Sequence, residues 1–180
     1  MLRQLEHRID RLARQRAALL RELHTMKPSR LVFHPAPGSW SALDLVEHLV
    51  LVEEAVLRGI PDRPPTRSLA DSARAAVVLP LLYLTFARGA RLRAPTRAIL
   101  PVGGSTLAQL EARWTRARAN LRSVLQLMGP EDLSRPFFRH PVIGWLTTLE
   151  GLGFLERHVA HHLHQVKRIR AVPGYVALAS

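Results

Sequence analysis

Histidines are the residues in this sequence whose type and spacing best suit chemistry at a single point. Residues 158–165 read His-Val-Ala-His-His-Leu-His-Gln, within a segment of helical periodicity. At about 100° per residue, His162 lies about 40° from His158, with Gln165 about 20° to the other side and His161 about 60° away. Two histidines spaced i, i+4 can both reach one metal ion. The segment predicts two ligands, His158 and His162, with His161 as the rival of His162. On spacing alone, the alternative to a metal site is that His158 and His162 flank a polar patch.

A third ligand has to come from another helix, and His48 is the candidate. It lies mid-helix among Leu45, Leu49 and Val52, so it faces or borders the core. Burying an imidazole costs free energy unless both ring nitrogens find partners, and a metal with a hydrogen-bond acceptor behind the ring supplies both. Asp44, one turn earlier on the same face, is the expected acceptor.

We therefore predict a divalent metal ion on His48, His158 and His162, with zinc expected and nickel, iron or manganese as alternatives. Structural zinc sites have four protein ligands, whereas catalytic sites keep a position for water or substrate. Three histidines would leave that position open, unless Asp44 or Glu47 closes it and makes the metal structural. The chain has no cysteine. A thiol ligand would have to come from a low-molecular-weight cofactor or substrate.

Helices are predicted to position these residues. Leucines at spacings of three and four mark residues 1–27, and capping-box spacings open the segments 41–58, 106–128 and 147–171. The apolar segment 69–88 is predicted to be a buried helix, kinked or restarted at Pro80. No segment alternates with period two, so no sheet is expected. The fold class is all-α: an antiparallel four-helix bundle with an extra short helix and a long basic loop at residues 89–104. Residues 1–180 are expected to form one domain.

Composition and charge exclude several classes of protein. With 47% hydrophobic and 22% charged residues, the chain of 180 residues has a globular composition. The net charge of +12 comes from 24 arginines and two lysines spread along the chain. Because the arginines are spread out, we attribute the charge to a general use of arginine in place of lysine. A nucleic-acid interface would instead gather them in one block. Trp114 shares a helix with several arginines, but its spacing with Leu110 and Leu121 predicts a core position.

Targeting and membrane segments are not expected. The N-terminus is charged from residue 3 onward and lacks the apolar region of a signal peptide. The most apolar run, residues 75–87, has 13 residues. A spanning helix needs about 20. We therefore expect a cytoplasmic protein without a membrane partner, and the sequence is compatible with a homodimer.

Three motifs resemble those of a known family. They are Trp40-Ser41 with Leu45-Val-Glu-His48-Leu49, then His140-Pro-Val-Ile-Gly-Trp-Leu-Thr147, then His158-x-x-x-His162-x-x-Gln165. In order and spacing they are similar to the DinB-like, or YfiT-like, metal-binding four-helix bundles. The resemblance covers about residues 1–171, although residues 61–104 match nothing specific and Asp44 stands where a glutamate is expected. It implies that the histidines matching the three predicted ligands bind zinc, nickel or a similar ion.

The resemblance also implies a function. Members of that family include thiol-dependent S-transferases and a maleylpyruvate isomerase, and several bind metal without a known reaction. We therefore expect a metal-dependent thiol S-transferase or related hydrolase acting on a small molecule, with Gln165 orienting a bound ligand. Arginines of residues 88–97, or Arg139 and Arg157, would attract an acidic thiol. The alternatives are a non-catalytic metal-binding stress or damage-response module and a basic nucleic-acid-binding protein.

Overall fold

The computed structural model describes residues 1–90 and 94–177. Its elements, in chain order, are α1 (Arg3–His24), α2 (Pro28–Leu31), α3 (Ala42–Arg58), α4 (Leu69–Ala87), a 3-10 turn (Arg97–Ile99), α5 (Leu107–Gln126), a second 3-10 turn (Pro130–Ser134), β1 (Pro136–His140), β2 (Gly144–Thr147), α6 (Thr148–Arg170) and α7 (Pro173–Ala177).

Helices α1, α3, α5 and α6 form a bundle, as predicted. Helix α3 packs on α5, α1 packs on α6, and α3 also contacts α6. The apolar stripes seen in the sequence face inward, with Leu12 and Leu125 fully buried. Trp114 is also fully buried, which confirms its predicted core position. Because α3 and α6 pack face to face, the histidines of the two helices meet inside the bundle.

Capping boxes begin three of these helices where the sequence predicts them. Ser41 accepts a hydrogen bond from the backbone of Asp44, whose carboxylate accepts one from the Ser41 backbone. Thr106 opens α5 and Thr147 opens α6 with the same reciprocal arrangement. Each box satisfies amide groups that the first turn of a helix leaves without partners, which fixes the register of the helix that follows.

A short antiparallel hairpin between α5 and α6 was not predicted. Strand β1 pairs with β2, and the register slips between Pro136 and Phe138. This bulge lets Phe137 and Phe138, adjacent in sequence, both become buried. The expectation of no sheet was therefore wrong here, because a bulged strand of five residues leaves no period-two pattern to detect. The hairpin packs against α4 and α6.

Helix α4 runs continuously from Leu69 to Ala87 with Pro80 inside it, so it does not restart there. It differs from its prediction in being largely exposed rather than buried, since only three of its 19 residues are buried and Leu81 is 59% exposed. By length and composition alone α4 could cross a membrane, a property that it shares with core helices of soluble proteins. Its buried residues Ala75, Leu79 and Phe86 face β2 and α6.

Candidate metal centre

The ring nitrogens of His48, His158 and His162 converge on one point. His158 Nε2 lies 3.2 Å from His48 Nε2 and 3.0 Å from His162 Nε2. All three rings are buried, and their potential ligand atoms lie within 4.8 Å of one another. Nitrogen atoms bound to one tetrahedral zinc at about 2.0–2.1 Å lie roughly 3.4 Å apart. The structure thus brings together the three histidines that the sequence singled out, with two of the three Nε2 separations close to this value.

His48 is oriented by a backbone carbonyl. Its Nδ1–H donates to Ile99 O over 2.7 Å, so its Nε2 lone pair points at the other two histidines. Ile99 ends the 3-10 turn within the segment 89–104, which the sequence predicted as a long basic loop. A few residues on, Gly103 N donates to the buried carboxylate of Glu47. The loop is therefore anchored to α3 at two points and holds His48 from behind.

His162 is oriented by a relay of hydrogen bonds that starts at another carbonyl. His161 Nδ1–H donates to Phe86 O over 3.2 Å, which leaves its Nε2 as an acceptor for the Gln165 amide N–H at 2.9 Å. The Gln165 carbonyl Oε1 must then face His162, whose Nδ1–H donates to it over 2.7 Å. The His162 Nε2 lone pair is consequently free for a metal. His161, the predicted rival ligand, is part of this relay and lies outside the cluster.

Asp44 does not have its predicted role. Its carboxylate turns back to the Ser41 backbone and hydroxyl, and lies 3.6 Å from His34 Nδ1, rather than supporting His48. The Asp44 side chain is short and lies beside the free backbone N–H of Ser41 at the start of α3. Its carboxylate therefore caps the helix. Glu47 accepts from Gly103 and is not part of the histidine cluster. Within the described residues, neither carboxylate closes the site.

Burial keeps the histidines neutral. It lowers the pKa of His158 and of His162 well below the ordinary value, and the neighbouring histidines lower both further. Burial also lowers the pKa of His48, although its bond to Ile99 acts in the opposite direction. Neutral imidazole is the form that binds a metal ion, so protons compete little with a metal here at neutral pH.

A large cavity adjoins the cluster. It has a volume of about 910 Å³, and the three histidines form part of its wall beside apolar groups of α3, α4 and α6. Arg139 lines it, as expected, and so does Arg168, which the sequence did not single out. Arg157 instead lies over the Tyr83 ring at 4.1 Å and does not line the cavity. Of the arginines expected from residues 88–97, Arg91 and Arg93 lie outside the described residues, and neither Arg88 nor Arg97 lines this cavity.

Sequence reasoning missed two further contributors to this site. His140 was not predicted to be a site residue, yet it ends β1, is 9% exposed and lines the cavity. Its place in the second motif was the available signal. Ile99 contributes only a carbonyl oxygen, and a backbone group leaves no trace in residue type.

Comparison with known proteins identifies the family. A sequence model of the DinB superfamily matches residues 11–166. The chain belongs to the DinB superfamily. Among curated proteins no match was found.

Two solved structures share this DinB fold. TT2238, described as a four-helix bundle protein, is 24% identical with a TM-score of 0.57, over 91% of this chain and 98% of its own. YfiT from Bacillus subtilis is 18% identical with a TM-score of 0.56, over 97% of this chain and 90% of its own. Its structure is described as a probable metal-dependent hydrolase with an unusual four-helix bundle topology. At these identities the likeness concerns the fold.

Proposed function

We propose that this DinB protein is a metal-dependent hydrolase or thiol S-transferase whose divalent ion is held by His48, His158 and His162. The observation that carries the proposal is the convergence of three neutral Nε2 atoms on the wall of a large cavity. This donor set suits zinc, and it also accepts nickel, iron or manganese. The description of YfiT as a probable metal-dependent hydrolase supports the same class of function.

The chain's own residues would hold and orient the reactants. When bound, a divalent ion lowers the pKa of a water or thiol ligand and polarises a substrate carbonyl. The Ile99 carbonyl and the Gln165 amide hold the His48 and His162 rings, so that the cluster needs little reorganisation. Most of the cavity wall is apolar, which would limit contact between the reacting groups and bulk water.

An acidic small-molecule thiol is the proposed nucleophile for the transferase reaction. The chain has no cysteine of its own. Arg139 and Arg168 line the cavity, and no acidic residue among those described lines it. A negatively charged thiol would therefore be attracted to the cavity mouth.

The first test is metal binding by ligand-deficient and matched variants. We expect the wild-type chain to bind about one cobalt ion, and His48→Ala to bind it more than about 100-fold more weakly, beyond the loss typical of an outer hydrogen-bond partner. His164→Ala is the matched control, because His164 lies on α6 but is exposed. The affinities are measured by absorbance titration against a competing chelator. Equal affinity in His48→Ala and wild type would rule out the site.

The same cobalt-loaded protein separates an enzyme from a non-catalytic module. We expect added 3-mercaptopropionate to change the visible absorption bands and to release protons, because the thiolate is the ligand form. A structural metal gives the opposite pattern. Thiols would leave the spectrum unchanged, while chelators would lower the melting temperature strongly.

A further inference from the structure

His140 is a second, separate histidine in the cavity, and its tautomer is fixed by the hairpin turn. Its Nδ1 accepts hydrogen bonds from the backbone N–H groups of Val142 at 3.2 Å and Ile143 at 3.3 Å. A nitrogen that accepts from two N–H groups carries no proton. The proton of the neutral ring is therefore on Nε2.

The neutral form of His140 is the one present near pH 7. Burial lowers the pKa of His140 to about 4. Its Nε2–H is therefore an uncharged hydrogen-bond donor, and in the described part of the chain it has no protein acceptor. A ligand oxygen in the cavity can accept this hydrogen bond in place of water.

His140 lies close to the cluster of His48, His158 and His162. Its ring meets the Phe154 ring edge-on, with the ring centres 5.1 Å apart. Phe154 in turn stacks on His158, with centres 5.3 Å apart and planes 13° from parallel. Phe154 thus links the two histidines, and both line the same cavity.

Away from the histidines, Gln165 and the two arginines, the cavity wall is mostly apolar. Its wall includes Val52, Val78, Leu82 and Phe138, and no described acidic residue lines it. Its volume of about 910 Å³ is in the range of sites that enclose molecules of drug size. In such sites apolar contacts provide most of the binding, and a few fixed polar groups orient the ligand.

We propose that this cavity binds substrates with an extended alkyl or aryl body and a carbonyl oxygen, and that His140 Nε2–H donates a hydrogen bond to that oxygen. His140 is then a substrate-binding residue separate from the three metal ligands. The inference deepens the proposed function by naming its substrate class, and it rests on that function for the reaction but not for the binding.

The test compares octan-2-one with 1-octene, a hydrocarbon of the same length that lacks the oxygen. We expect metal-loaded wild type to bind the ketone about five- to tenfold more tightly, the size of one neutral hydrogen bond. His140→Asn should remove this preference. The asparagine Oδ1 can still accept from the turn amides, but nothing replaces Nε2–H. His140→Gln should restore part of the preference, because its amide N–H reaches further. Binding is measured by calorimetry.

The controls separate this inference from a structural role and from the metal proposal. Affinity for 1-octene should be unchanged in His140→Asn, which shows that the cavity is intact. Val78→Trp should weaken both ligands, since Val78 lines the cavity, whereas Val77→Trp on the exposed side of α4 should not. An unchanged ketone preference in His140→Asn, or equal binding by the two tryptophan variants, would overturn the inference. Metal content, measured on the same samples, reports separately on the three-histidine site.

Discussion

Gln165 shows how one side chain sets the chemistry of its neighbours. The sequence predicted that it orients a bound ligand, a role that stays a prediction. The structure adds that its amide joins His161 to His162 and so fixes which His162 nitrogen is free. A ligand histidine whose outer nitrogen loses its acceptor can rotate or change tautomer, which weakens the metal bond.

We therefore expect Gln165→Leu to lower metal affinity by about 10- to 100-fold. Gln165→Glu is the control, because it keeps an acceptor opposite His162 and loses only the N–H that donates to His161, so its affinity is expected near wild type. Zinc affinity measured by competition with a chelating dye checks this expectation. Wild-type affinity in Gln165→Leu would show that the ring is held by packing alone.

Residue spacing predicted the three clustered histidines but not what stands behind them. The i, i+4 pair and the core-facing His48 can be read from helical periodicity, because side-chain direction repeats with the helix. The acceptors could not be read in the same way. Ile99 and Phe86 act through carbonyl oxygens. Asp44 has the chemistry and spacing to accept a hydrogen bond from His48, but its carboxylate caps its own helix instead.

At the level of elements, the hairpin holds His140 in place, and Gly144 makes its turn possible. Gly144 has φ +92°, a conformation that other residues rarely adopt. A Cβ there would lie 2.1 Å from Asp71 Oδ1, because the start of α4 packs directly on the hairpin. The glycine of the second motif is thus required by backbone conformation and by this close approach together.

We expect Gly144→Ala to destabilise the protein by about 1–3 kcal/mol through the backbone conformation, with a further loss from the contact with Asp71. Gly38→Ala is the matched control, since Gly38 also has positive φ, at +71°, but has open space around it. Urea denaturation compares the two. Equal losses would show that the contact with Asp71 relaxes without cost.

The hairpin itself could not be predicted from the sequence, since its bulge removes the alternation that marks a strand.

The bundle fold of the whole molecule can be predicted from helical periodicity and capping motifs in the sequence. Four amphipathic helices, three of which begin with reciprocal caps, predict a bundle whose core lies where their apolar faces meet. Exposure of α4 was not predictable in the same way. Its composition is that of a core helix, but the helix packs on β2 and α6 along one face only. The hydrophobic composition of a helix does not determine how much of its surface other elements will cover.

Acid should destabilise the metal-free molecule as a whole, because its buried histidines fold in the neutral form. Burial is the largest cause of a lowered pKa at five of them, His48, His140, His158, His161 and His162. In the unfolded chain these groups have their ordinary pKa of about 6.5, so below that pH the unfolded state binds more protons. The free energy of unfolding therefore falls as the pH drops below 6.5.

For His140 alone, the shift from 6.5 to about 4 corresponds to roughly 3 kcal/mol lost by pH 4. Glu53 acts in the opposite direction, since burial raises the pKa of its carboxyl and favours folding in acid, but it is one group against five. Urea denaturation of chelator-treated protein between pH 8 and pH 4.5 measures the trend, and His140→Asn should flatten it. Saturating zinc should shift the loss to lower pH, because bound metal excludes the protons from its ligands. A free energy of unfolding that stays constant from pH 8 to 5 would mean that these histidines are already hydrated in the folded protein.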